Sequence, residues 1–175
     1  MFGHSRFDNL RDLYLDELRD LYDAEHQILN ALPKMIDRAS HDELKQVFRS
    51  HLEETRGQVN RLEEVFRSCG ETPDRKTCLA MKGLIAEGEE VIKAKGDPDV
   101  IDAGLIGAAQ RVEHYEIAGY GTARTLARRL GFEDQARLLQ QNLDQEGNAD
   151  KKLTSVAESR VNVEAAMGSP VGAGV

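Results

Sequence analysis

Six acidic side chains and one imidazole stand in this sequence where an apolar residue is expected. Glu25, Glu54, Glu113, Glu116, Glu146 and Asp150, together with His51, fall on rows otherwise filled by Leu, Ile, Val and Ala. Those rows step by three and four residues, which places each on one face of an α-helix. Carboxylates seldom occupy such a face without a partner. Each unpaired buried charge costs several kcal/mol, so six converging acids would exceed the whole stability of a domain, roughly 5 to 15 kcal/mol. The rows carry no Lys or Arg, and an internal salt-bridge network would have to borrow its cation from a flank. Two divalent metal ions supply the balancing charge more directly. Ligation by oxygen favours iron, manganese or magnesium over zinc or copper; iron is the expectation and manganese the alternative.

Two readings of His51 stand side by side, a direct metal ligand or a core imidazole bonded to Glu25 or Glu54. Tyr22 and Tyr120 lie within one helical turn of Glu25 and Glu116 and read as packing residues that donate hydrogen bonds to the acids. His114 neighbours Glu113 but points about 100° away from it, as a structural or exposed residue.

Four long helices must position these groups. The first spans about Asn9 to Ala39 with an inward row Leu18, Leu21, Glu25, Ile28, Leu32, Met35, and Pro33 is expected to bend it. The second starts at Ser40, where Ser40-His41-Asp42-Glu43 reads as a capping box, and ends near Cys69-Gly70; its row is Leu44, Val47, His51, Glu54, Gln58, Leu62, Val65. The third runs from about Asp99 to Leu130, with Ile106, Ala109, Glu113, Glu116, Tyr120, Ala123, Ala127 in line, and Gly131 stops it. The fourth runs from Phe132 to about Val161 through Ala136, Leu139, Leu143, Glu146, Asp150, Leu153, Ala157. Gly104, Gly107, Gly119 and Gly121 are expected to permit close helix contact.

Tight turns near Ser40 and at Gly131 make two antiparallel hairpins. Glu25 lies 15 residues before Ser40 and Glu54 14 after it; Glu116 lies 15 before Gly131 and Glu146 15 after it. At roughly 1.5 Å per residue, each acid is about 21 to 23 Å from its own turn, so within a hairpin the acids share a level. The link from Gly70 to Pro98 carries a short amphipathic stretch around Cys78, Met81, Leu84, Ile85, Val91 and Ile92, where Cys78 and Met81 read as packing. A link this long carries the chain across the bundle's length, which marks the ferritin-like, all-α form of the four-helix bundle. One domain over residues 1–166 is expected, followed by a disordered Gly-rich tail over 167–175.

Composition closes off other classes. The formal net charge is −8, from 23 Lys plus Arg against 31 Asp plus Glu, and no basic cluster tracks a phosphate backbone, so nucleic acid is not an expected partner. Residues 1–9 have no apolar signal region and no run of 18 apolar residues occurs, so neither secretion nor membrane spanning is expected. Cys69 and Cys78 lie nine apart without metal or disulfide spacing, as suits a reducing cytoplasm.

Several stretches carry a family resemblance: Asp23-Ala24-Glu25, Ala31-Leu32-Pro33-Lys34-Met35, His51-Leu52-Glu53-Glu54-Thr55, Cys78-Leu79-Ala80-Met81, Val112-Glu113-His114-Tyr115-Glu116-Ile117-Ala118-Gly119-Tyr120-Gly121-Thr122 and Ala149-Asp150. The chain, from about residue 8 to 163, resembles the bacterial stress-induced YciE/YciF proteins. That resemblance implies a ferritin-like, rubrerythrin-related bundle, a homodimer and a dinuclear metal site, with no settled activity. One departure stands out: ferritin-like sites commonly use Glu-x-x-His, whereas Gly57, Glu116 and Ala149 follow Glu54, Glu113 and Glu146 by three. Arg56, three after Glu53, stands where some relatives carry His. His51 is left as the one candidate nitrogen ligand, with an all-carboxylate site as the alternative.

Two functions follow as expectations. In the first, a di-iron centre oxidises Fe(II) with oxygen or peroxide during stress, with Glu54 and an acid of the second hairpin bridging the ions. In the second, a non-enzymatic structural or interaction bundle keeps metal only to hold its fold. An iron-storing cage is a weaker third.

Overall fold

The structure, a computed structural model, describes residues 6–167. Helices α1 (Leu10–Arg38) and α2 (Asp42–Ser68) form one hairpin, α4 (Pro98–Arg129) and α5 (Glu133–Val156) the other, and α3 (Leu79–Lys93) lies on the link between them. A single π-helical turn, Ala157–Val161, joins α5 to the short α6 (Asn162–Met167). No strand occurs among the described residues, and no helix there is long and apolar enough to cross a membrane. Met167, expected to open a disordered tail, closes α6; the rest of that tail, 168–175, lies outside the described residues.

The long helices pack in a ring in the order α1, α2, α5, α4. At one end Ser40 and His41 meet Asp102 and Asp99; at the other Tyr14 and Cys69 meet Gln135. Every neighbour in the ring is therefore antiparallel, and the link has returned the chain to the end where α1 finished. Along the way α3 leans on α1 and α4, tied by Lys34 to Glu89 at 2.7 Å and by Arg38 Nε to the Ile92 carbonyl at 2.9 Å.

Local chemistry explains the ends. Asn9 caps α1 by accepting from the Asp12 amide at 3.0 Å; Asp97 caps α4, whose first turn begins with Pro98. The capping box read at Ser40 does not form. Instead α2 begins at Asp42, and the buried Asp102 of α4 accepts the Ser40 amide (3.0 Å), the Ser40 hydroxyl (2.7 Å) and the His41 amide (2.8 Å). A carboxylate from the second hairpin thus satisfies the donors that a local cap would have taken. Gly131 ends the α4–α5 turn with φ of 78°, a left-handed conformation that glycine adopts without steric penalty. α1 continues through Pro33, which is exposed.

Two of the four glycines do admit close contact. A Cβ on Gly119 would meet Leu21 Cδ2 at 2.7 Å, and one on Gly104 would meet Val91 Cγ1 at 2.9 Å. Gly121 has no neighbour within 4 Å, and Gly107 meets only the Arg111 guanidinium, so those two expectations are corrected.

The core is divided. One apolar cluster fills the α1–α2 turn end with Ile28, Leu32, Phe48, Ile101, Leu105 and Leu153; another fills the opposite end with Tyr14, Leu18, Leu62, Phe66, Ala123 and Leu139. The acids lie between them.

Candidate metal centre

Each of the four long helices sends a polar side chain into that middle layer. Glu25 comes from α1, His51 from α2, Glu113 and Glu116 from α4, and Glu146 from α5, and none is more than 3% exposed. One nitrogen of His51 and one oxygen each of Glu113, Glu116 and Glu146 all lie within 4.8 Å of one another. His51 Nε2 is 3.4 Å from Glu113 Oε1 and 4.0 Å from Glu146 Oε2. Glu25 adjoins Glu116 and accepts the Tyr120 hydroxyl, while Gln58 donates its amide to Glu146.

The layer is short of donors. Glu25 Oε2, Glu113 Oε2, Glu146 Oε2 and both oxygens of Glu116 are buried without a hydrogen-bond partner, as are both nitrogens of His51 and the Gln58 carbonyl. Buried polar atoms are ordinarily paired, so this concentration of lone pairs at one point requires a ligand or protons. No Lys or Arg among the described residues bonds to any of the four acids. Arg61 donates instead to Asn142 and Gln145, and acts on Glu25 through its charge.

The acids respond accordingly. Burial, then the charge of Glu146, pushes Glu25 up to about 8, against the pull of the Tyr120 hydroxyl. Burial likewise raises Glu113 and Glu116 well above the usual carboxylate range, with Glu146 again the main neighbour. Tyr120 is raised by burial and by Glu25. The donor set of four carboxylates and one imidazole fits a hard or borderline divalent cation, and the unpartnered oxygens are the atoms such an ion would use.

Glu54 and Asp150, drawn on the inward rows, stand at the rim. Successive helical residues differ by about 100°, and the buried stripe runs through Thr55 and Ala149 instead. Glu54 is 23% exposed, 3.8 Å from His51 Nδ1 and 3.3 Å from Lys152 Nζ, and the imidazole beside it and then Lys152 hold it below the usual carboxylate range. Asp150 accepts from Gln110 at 3.0 Å and faces the exposed His114 at 3.3 Å. His51 is a buried imidazole that lies within ion-pair distance of Glu54 and faces Glu113 and Glu146 through its other nitrogen, so both readings of it, core imidazole beside Glu54 and metal ligand, keep their geometry.

Tyr120 does donate to an acid of the layer. Tyr22 does not: its hydroxyl donates to Glu63 at 3.0 Å and its ring packs on Phe66. Gln58 lay on the drawn row without a role. Asn142 and Arg61 were missed; their signal is weak, a buried amide beside Leu143 and a basic residue one turn after Gln58. Tyr115 was also missed as a half-buried link, joining Asp20 to the Cys78 thiol, which lies 3.0 Å from its hydroxyl.

A family model described as a domain of unknown function, DUF892, matches residues 9–166. The chain is 45% identical to Protein YciF of Escherichia coli K12 over 157 residues, 89% of this chain and 95% of that protein. The crystal structure of the E. coli stress protein YciF matches with a TM-score of 0.86 at 44% identity, over 89% of this chain and 99% of that one. YcfI from Rhodopseudomonas palustris matches at 0.85 and 46% identity, with the same coverage. A two-domain protein of Anabaena variabilis, with DJ-1/ThiJ/PfpI-like and ferritin-like domains, matches at 0.62 and 16% identity over 96% of this chain and 42% of that one. That last likeness concerns the fold alone, a ferritin-like bundle.

Proposed function

This chain belongs to the DUF892 family, and on that premise we propose that it is a ferritin-like stress protein whose buried acids hold two metal ions, iron by preference. The observation that supports this reading is the set of unpartnered carboxylate oxygens around His51, contributed by different helices at one level. His51, Glu113, Glu116 and Glu146 would hold one ion, and Glu25, which adjoins Glu116, would contribute to holding the second. Glu54 and Asp150, partly exposed at the rim, attract cations on their way in.

The chemistry is oxidation of Fe(II) by dioxygen or peroxide. With dioxygen, two Fe(II) give one electron each, and the oxidant takes two electrons and two protons to leave as hydrogen peroxide. Glu25, held by Tyr120 and raised by burial, is placed to release or accept a proton as charge in the layer changes. Gln58 fixes the Glu146 carboxylate, and Arg61 orients Asn142 beside it. The apolar clusters on either side exclude water. Cytoplasmic action suits the free thiols Cys69 and Cys78, and a homodimer is the proposed assembly, which sedimentation measures.

Aerobic addition of ferrous ion to the chelator-stripped protein should give a rise in ferric absorbance that Glu116→Ala combined with Glu146→Ala abolishes. An undiminished rise in that variant would exclude this layer as the centre. A purely structural ion is the second reading, favoured by the near-complete burial of all five groups. It predicts a metal-dependent gain in melting temperature through linkage, with no absorbance change.

A further inference from the structure

Beside the acid layer, beneath α3, lies a cavity of about 40 Å³. Its walls are apolar: Ile28 and Met35 of α1, Ile85 and Gly88 of α3, Ala108 and Val112 of α4. His51 and Glu113 stand at its inner end. Lys34 and Glu89, an exposed ion pair, stand at its outer edge. Gly88 makes part of the space, since a Cβ there would meet only Ala108 Cβ, at the ordinary contact distance of 3.7 Å.

Size and polarity choose the occupant. A water needs roughly 10 to 15 Å³ and polar partners, whereas an apolar cavity of about 150 Å³ admits benzene. The inner 40 Å³ of this space, against His51 and Glu113, takes a diatomic molecule. Hydrogen peroxide, with two hydroxyl groups, would forfeit its hydrogen bonds against walls of Ile, Met, Val and Ala. We propose that the cavity is a binding site for dioxygen, which it holds against the two site residues His51 and Glu113. The purpose of such a site rests on the metal-centre reading; its existence does not, and the two are tested separately.

Xenon is the probe for the site, as an apolar atom with no demand for hydrogen bonds. Crystals of the wild-type chain under xenon pressure should show the gas between α1, α3 and α4, and those of Gly88→Leu should not. In stopped flow, Gly88→Leu should slow ferrous oxidation by dioxygen about tenfold or more, with Gly88→Ala in between. Anaerobic iron uptake and the rate with hydrogen peroxide should stay at the wild-type level. Gly88→Ala, which adds one methyl at contact distance, carries the test if the larger side chain prevents folding. A wild-type cavity that takes no xenon, or a filled cavity with an unchanged dioxygen rate, would overturn the proposal. Xenon bound in a protein that oxidises no iron would refute the ferrous-oxidation reading and uphold the gas site.

Discussion

Glu116 keeps both carboxylate oxygens buried and away from every donor of the described fold, a position that only a proton or a cation makes tolerable. The two remedies have opposite pH dependence. Burial raises Glu25, Glu113 and Glu116, so the folded metal-free chain holds protons that the unfolded chain would release at ordinary carboxylate values. The stability this contributes is full below about 4.5 and is lost as pH climbs through about 8, the folded value of Glu25. Thermal melts of chelated protein should show Tm falling over that window, and Glu116→Gln should flatten the fall; a Tm that rises with pH would contradict it. Added metal should reverse the slope, because the ion binds the ionised acids and releases their protons. Tyr120→Phe removes the donor to Glu25 and should cost about 1 to 3 kcal/mol, a loss of roughly 2 to 4 °C in Tm per kcal/mol. The acids were legible in the sequence because a Glu on a Leu and Ala row is a conspicuous exception. Which of two adjacent residues faces inward was not, since a stripe wide enough to include Thr55 also grazes Glu54, and only the packing of α2 against α5 decides.

At the scale of elements, the joint between hairpins is a carboxylate. Asp102→Ala takes the acceptor from three donors at the start of α2 and should cost about 3 kcal/mol, less than three full bonds to a charged group at roughly 1.5 to 3 kcal/mol each, because Ser40 is exposed and its freed donors turn to water. Ser40→Ala, which removes one of the three, should cost about 1 kcal/mol by the same reasoning, and urea melts of the two variants give the comparison. Ser40 read as a local cap because its neighbours fit the pattern. Its true partner lies 62 residues away, and no local pattern reports that. Close approach of α1 and α4 was legible in outline at Gly119. There a methyl would press on Leu21, itself 1% exposed, so Gly119→Ala should destabilise by about 1 to 3 kcal/mol. Combining it with Leu21→Val should cost less than the sum of the two, and an additive cycle would contradict the contact. The π-helical turn after α5 escaped the sequence reading because the apolar row runs on to Ala157 at unbroken spacing.

For the whole molecule, the arrangement is two apolar halves with a charged layer where a continuous core would be more stable. The chain's four-helix architecture and long crossover were legible from periodicity and link length. The division of the core was not, because it depends on acids from separate hairpins arriving at one level, which sequence spacing measures only within a hairpin. Such a layer is a standing cost unless something binds there, so bound metal should act on the global transition rather than on one helix. The direct test of that claim is anaerobic titration of chelator-stripped protein with ferrous ion, followed by metal analysis of the desalted chain. The account predicts about two retained equivalents in the wild type and loss of at least one in Glu116→Ala combined with Glu146→Ala. A folded wild type that retains no iron, or a double variant that retains as much as the wild type, would contradict it.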